Sequence, residues 1–150
     1  MSHLYEDARV STGATINFAS GGIRSLFLVH GGALIALLTF VGNAGYEKAT
    51  LSGLQSAFFL FGGGLFFALT AAFGAYFAQA LATLSSTYDA EFIYFNQTGS
   101  SEISREMEKK ADRERFRSNA VRITAVVSAV ISGFTFPAGV FVAANALVVA

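Results

Sequence analysis

Cysteine and tryptophan are absent from the 150 residues, and proline occurs once. Without cysteine there is no disulfide, thiolate metal site, haem thioether or thiol nucleophile. Histidine occurs only at His3 and His30, too few for a His-based metal site without carboxylate help. Charge is scarce as well. Asp, Glu, Lys and Arg make up 13% of the chain, about half of what a soluble domain carries to cover its surface. Ten basic residues balance ten acidic ones, so no net field draws nucleic acid.

In place of charge stand 53% hydrophobic residues, 16 Phe and 15 Gly, with a mean hydropathy of +0.53. Lipid is the solvent that such a chain fits. The expected fold is all-α: an integral membrane protein of three transmembrane helices, with helices 2 and 3 extended into a cytoplasmic helical hairpin. Residues 1–23 are mixed polar and lack the pattern of a signal peptide. They read as a cytoplasmic arm, partly helical along the membrane surface. The first transmembrane helix is expected over 24–43, where about 20 uncharged residues match a hydrocarbon core of about 30 Å. Residues 44–50 form a periplasmic loop, opened by the turn-prone Gly42-Asn43-Ala44-Gly45.

The uncharged run over 51–84 is too short for two crossings, which need about 40 residues plus a turn, so it reads as one helix. Tyr88, Phe92 and Phe95 continue the helical spacing, and the sequence from Asn96 to Ser101 is the turn. Ser100 or Ser101 caps the next helix. Residues 85–119 are therefore the charged hairpin tip. Its acids precede bases as Glu102/Arg105, Glu106/Lys110, Asp112/Arg115 and Glu114/Arg117, pairs that support an exposed helix. Ile103, Met107 and Ala111 make an apolar stripe expected to pack on Phe92 and Phe95. The charge run as a whole reads as a solvated face rather than an anion-binding patch. The third transmembrane helix covers 120–150, with a kink at Pro137 for which Gly133 leaves room.

Orientation follows from the basic residues. With the N-terminus in the cytoplasm, nine of them (Arg9, Arg24, Arg105, Lys109, Lys110, Arg113, Arg115, Arg117 and Arg122) are cytoplasmic and only Lys48 is outside. The C-terminus is then periplasmic.

Two sets of residues are candidates for function. Gly31 and Gly32 in the first span, Gly64, Ala68, Ala72, Gly74 and Ala78 in the second, and Ala129 and Gly133 in the third recur at packing spacing. Small residues let helix backbones approach closely where lipid offers no hydrophobic drive. They serve packing within one subunit or assembly with other copies or a partner. His30, Gln79 and Asn145 are polar groups inside the spans, which are functional suspects because burying them in lipid is unfavourable. For His30 the alternatives are a hydrogen bond to a neighbouring helix and proton chemistry, and no acid or base lies well inside a span to complete a relay. The three glycines at 62–64 lack the Lys-Ser/Thr of a phosphate loop. Carboxylates such as Asp89 and Glu91 alternate with bases instead of converging, which speaks against acid–base catalysis.

The stretch 24–43, RSLFLVHGGALIALLTFVGN, resembles a pattern of small uncharacterised proteobacterial inner-membrane proteins. There an Asn commonly stands where this chain has His30, followed by Gly-Gly-Ala and an Ala/Leu-rich run ending in Phe-x-Gly. The resemblance covers about a seventh of the chain. It implies a bacterial inner membrane and an all-helical fold, brings no activity, and favours hydrogen bonding over protonation as the role of His30. The expectation for function is a non-enzymatic subunit that self-associates or serves a larger membrane complex. It needs no cofactor, and its partners are membrane lipids and itself or another membrane protein, with no nucleic acid and no small-molecule substrate. The alternative is a pore-forming, holin-like homo-oligomer.

Overall fold

A computed structural model describes the backbone of residues 2–43 and 48–148, and the side chains of 20–43 and 54–146. It contains three helices: α1 (Ser2–Asn43), α2 (Lys48–Gln97) and α3 (Ser101–Val148). Among the described residues there is no strand. Each helix holds a stretch long and apolar enough to cross a membrane, within Ser20–Asn43, Leu54–Gln97 and Ser101–Ala146. The protein is thus all-α, with three membrane-spanning candidates.

Element boundaries differ from the sequence reading at two places. α1 is one helix from Ser2, so the expected arm is helical over residues 2–23 and joins the span without a break. No proline lies in that arm to stop it. At the other end of α1, Gly42 and Asn43 are still helical, and residues 48–50 already belong to α2. Ala44 and Gly45 of the expected turn lie outside the described residues. The uncharged run over 51–84 is a single helix inside the 50 residues of α2. α3 continues through Pro137, which lacks the N–H that would donate to the Gly133 carbonyl. A side-chain carbon at Gly133 would meet nothing within 4 Å, so the proline ring does not require glycine there.

The chain divides into two compact units, residues 1–70 with 128–150, and residues 71–127. In the first, Leu37, Leu54, Ala57 and Phe61 form the buried cluster, covered by Leu34, Phe58, Phe136, Val142 and other half-buried neighbours. Phe61 lies on Gly139, where an added Cβ would come within 2.8 Å of the ring.

The second unit is an antiparallel helix pair. Its inward residues on α2 are Ala71, Ala78 and Ser85, and on α3 Ser104, Ala111, Glu114, Ser118 and Ala125. The intervals are three, four or seven residues, the period of left-handed supercoiled helices. Small side chains at these positions bring the backbones close: a Cβ on Gly74 would stand 2.9 Å from that of Ala125. Serines then bridge the two helices, Ser85 Oγ donating to the Ala111 carbonyl (3.1 Å) and Ser118 Oγ to the Ala78 carbonyl (2.8 Å).

Gly99 closes the pair. Its φ of +82° is the left-handed conformation that side-chain-bearing residues avoid. The Ser100 N–H reaches back to the Phe95 carbonyl (3.0 Å) and the Thr98 N–H to the Tyr94 carbonyl (3.1 Å), satisfying the end of α2 in a Schellman-type arrangement. Ser100 occupies the N-cap position of α3, its carbonyl accepting from the Ser104 N–H.

Three of the four expected ion pairs form: Glu106–Lys110 (2.8 Å), Asp112–Arg115 (3.2 Å) and Glu114–Arg117 (3.1 Å). The exposed Glu106–Lys110 contact pulls the Glu106 carboxyl below its ordinary value and raises that of Lys110, chiefly through their hydrogen bond. Glu102–Arg105 is not among the pairs of the described residues. Arg115 also crosses the pair to Asp89, with both carboxylate oxygens within 3.0 Å of one guanidinium nitrogen. Ser104, rather than Ile103, turns inward beside Met107 and Ala111, because the seam repeats at three and four residues and Ile103 is 43% exposed. Glu114 is 4% exposed, so the charge run is not solvated throughout.

Replacing Gly99 by alanine forces a left-handed alanine, and we expect a loss of about 1 kcal/mol. Thermal unfolding of the full chain in detergent, followed by circular dichroism, reads the change. An unaltered midpoint would mean that the turn adopts another conformation without strain.

Candidate functional site

His30 is fully buried in the first unit, facing α2 at Gly64 and α3 at Ser132. Each contact follows from a residue choice. Gly64 lacks a side chain, and the imidazole lies where one would be: an added Cβ would overlap His30 Cε1 and stand 2.5 Å from Nε2. His30 Nε2 is 2.9 Å from the Ser132 carbonyl oxygen. A carbonyl only accepts, so Nε2 carries the proton and donates. Ser132 Oγ donates to the Gly64 carbonyl at 2.8 Å and lies 3.2 Å from the same Nε2. One serine thus accepts from α1 and donates to α2.

Aromatic rings close the site. His30 meets Phe136 edge-on (centroids 5.6 Å, 89° between planes) and Phe61 at 6.2 Å and 64°. Phe61 and Phe136 are themselves 5.8 Å apart. Such T-shaped contacts favour one orientation of each ring beyond simple burial. With Nε2 protonated, Nδ1 is left as a buried acceptor, and among the described residues nothing donates to it.

Of the packing candidates, Gly64 and Ala68 are buried in the first unit, and Ala78 is buried in the second, where Gly74 meets Ala125. Ala72 and Ala129 are half-buried. Gly31 is half-buried and Gly32 exposed, and a Cβ on either meets nothing within 4 Å. Gly133 is exposed. Of the polar candidates only His30 is inside, while Gln79 and Asn145 are exposed.

Two participants escape the sequence reading, Gly139 and Phe61, whereas Ser132 is one of the polar groups of the spans from which interhelical hydrogen bonds are expected. The inward face of α3 runs through Ser128, Ser132 and Gly139, one residue out of phase with Ala129 and Gly133. A heptad count from Ala125 would have found it, since 125, 132 and 139 are seven apart.

Comparison with known protein families, curated proteins and solved structures finds no match for the chain. Chemically, the arrangement is suited to fixing three helices to one another. His30 and Ser132 spend their donors on backbone carbonyls, and among the described residues no three His, Asp or Glu side chains gather as metal ligands would.

Gly64→Ala should therefore destabilise the chain by about 2 kcal/mol, because the imidazole cannot remain in place. In a His30→Ala background the same substitution should cost clearly less, a coupling readable by a double-mutant cycle of unfolding in mixed micelles. Additive effects would disprove the contact.

Proposed function

We infer that the chain is a non-enzymatic subunit of a membrane assembly, either self-associating or accessory to a larger complex. Its place is a bacterial inner membrane with the N-terminus cytoplasmic, in keeping with the distribution of Lys and Arg and the resemblance of residues 24–43. One observation carries the reading: small residues lie on the outside. Gly32 and Ala36 form an exposed small-xxx-small pair on α1, and Gly133 is exposed on α3, four residues before exposed Pro137. Among the described residues nothing fills the space over Gly32 or Gly133.

The proportion of buried surface supports it. Within the most apolar stretch of each helix only 11%, 28% and 22% of residues are buried inside the chain. Lipid tails can cover exposed Phe and Leu. An exposed notch between helix ridges is better filled by another helix, since dispersion and close backbone contact are what drive association in a bilayer. Gly64 belongs to the interior, so its substitution tests folding, whereas Gly32 and Gly133 test assembly.

Gly32→Leu and Gly133→Leu should lower the mass of the complex extracted in mild detergent while leaving helix content unchanged. Intact-complex mass determination decides it, and unchanged mass in both variants would reject the reading. A heterologous partner at fixed ratio would make the chain an accessory subunit. A closed homo-oligomer would bring the pore forward and make conductance in liposomes the next measurement.

A further inference from the structure

Charge in the helix pair of residues 71–127 is segregated along its length. Six carboxylates stand against three bases over residues 85–112, towards the turn. Residues 113–122 hold four arginines and one glutamate, directly before the uncharged run that begins at Ile123. The basic segment thus lies where the apolar stretch ends.

Within that segment the arginines are not equivalent. Arg115 is engaged by both Asp89 and Asp112. Arg113 and Arg117 share a single carboxylate oxygen, Glu114 Oε1, at 3.3 and 3.1 Å. The Glu114 side chain is 5% exposed, whereas those of Arg113 and Arg117 are 61% and 58% exposed. Two guanidiniums with five N–H donors each, balanced by one buried carboxylate, leave a net positive charge and most donors unpaired among the described residues.

The surface beside them is apolar and open. Phe116 is 76% exposed and Ile123, two turns further on, 64%. On a helix at 100° per residue, Arg113, Phe116, Arg117, Ala120 and Ile123 share one face. Phe116 beside arginines matches the pairing of Lys/Arg with Phe and Leu on helices that lie at the headgroup boundary of a bilayer.

We propose that this face of α3 binds an anionic phospholipid. Its phosphate sits between Arg113 and Arg117, whose planar donors match it, and an acyl chain lies along Phe116, Ala120 and Ile123. The acidic half of the helix pair, repelled by the same headgroups, is directed away from the membrane surface.

The test is lipid selection by the full chain in nanodiscs of phosphatidylcholine with a minor fraction of phosphatidylglycerol. Lipids retained after partial detergent stripping are counted by mass spectrometry. The expected result is enrichment of phosphatidylglycerol that falls by about fivefold for each arginine removed in Arg113→Gln/Arg117→Gln. Arg105→Gln/Lys109→Gln, near the turn, keeps the enrichment, and Arg113→Lys/Arg117→Lys keeps most of it, which separates loss of the site from loss of the fold. Equal enrichment in the glutamine variant and the unsubstituted chain overturns the proposal, as does no enrichment at all. Loss of phosphatidylglycerol on adding inorganic phosphate at matched ionic strength, with sodium chloride having no effect, also overturns it and makes soluble phosphate the ligand.

Discussion

The hydrogen bond from His30 to the Ser132 carbonyl can exist only because Gly64 has no side chain, and the packing of the first unit depends on that coincidence. In water three apolar helices would be pressed together by solvent. In a bilayer the lipid competes for the same surfaces on nearly equal terms, so specificity must come from close approach and from hydrogen bonds that lipid cannot supply. Removing the Cβ at position 64 lets the imidazole fit, and the imidazole in turn provides the edge on which Phe61 and Phe136 stack. Phe61 then requires Gly139 opposite it. Each choice sets the next.

The same device recurs in the second unit with different residues. There Ser85 and Ser118 donate across to the carbonyls of Ala111 and Ala78, much as Ser132 does to Gly64 in the first unit. In every case the acceptor is the backbone of a small residue, whose carbonyl a short side chain from the facing helix can reach. A helix carbonyl already accepts one intrahelical bond, and its second lone pair is free to take the hydroxyl. Such contacts are worth about 1 kcal/mol each in lipid, modest singly but directional, so they fix rotation and register where dispersion alone would let helices slide.

Much of the fold was legible in the sequence. Three uncharged runs, one turn rich in Gly and Ser, and charge pairs at i,i+3 and i,i+4 name the three helices and the hairpin. The site was legible only in part, and phase explains why. Gly133 and Ala129 look like a packing stripe when small residues are counted at fours, yet the helices here meet at alternating threes and fours. Over two turns that difference rotates the chosen face by one residue, enough to expose Gly133 and bury Ser132. Glu114 was hidden for a related reason. Composition assigns a carboxylate to the solvated face, whereas the heptad run 104, 111, 118 places position 114 in the seam, where Arg113 and Arg117 neutralise it. The arm over 1–23 has no proline to stop a helix, and Gly42 and Asn43, turn-prone in the sequence, stay helical.

Where the polar groups point also bears on what kind of assembly the outer surface suits. His30, Ser128 and Ser132, the groups that would best line an aqueous path, are buried inside the chain, and His30 and Ser132 are bonded to backbone. The outside carries Phe59, Phe66, Phe73, Phe134 and Phe141, each at least 60% exposed, with Gln55, Thr39, Gln79 and Asn145 among scattered polar exceptions. The Thr39 hydroxyl is already donated to the Ile35 carbonyl of its own helix. A pore built from several copies would have to present such a surface to water, and a ring of phenylalanines excludes ions by dewetting unless polar groups interrupt it. The same surface is ordinary against lipid or against another apolar helix. An aromatic exterior with open glycines at positions 32 and 133 therefore suits the docking reading better than the pore.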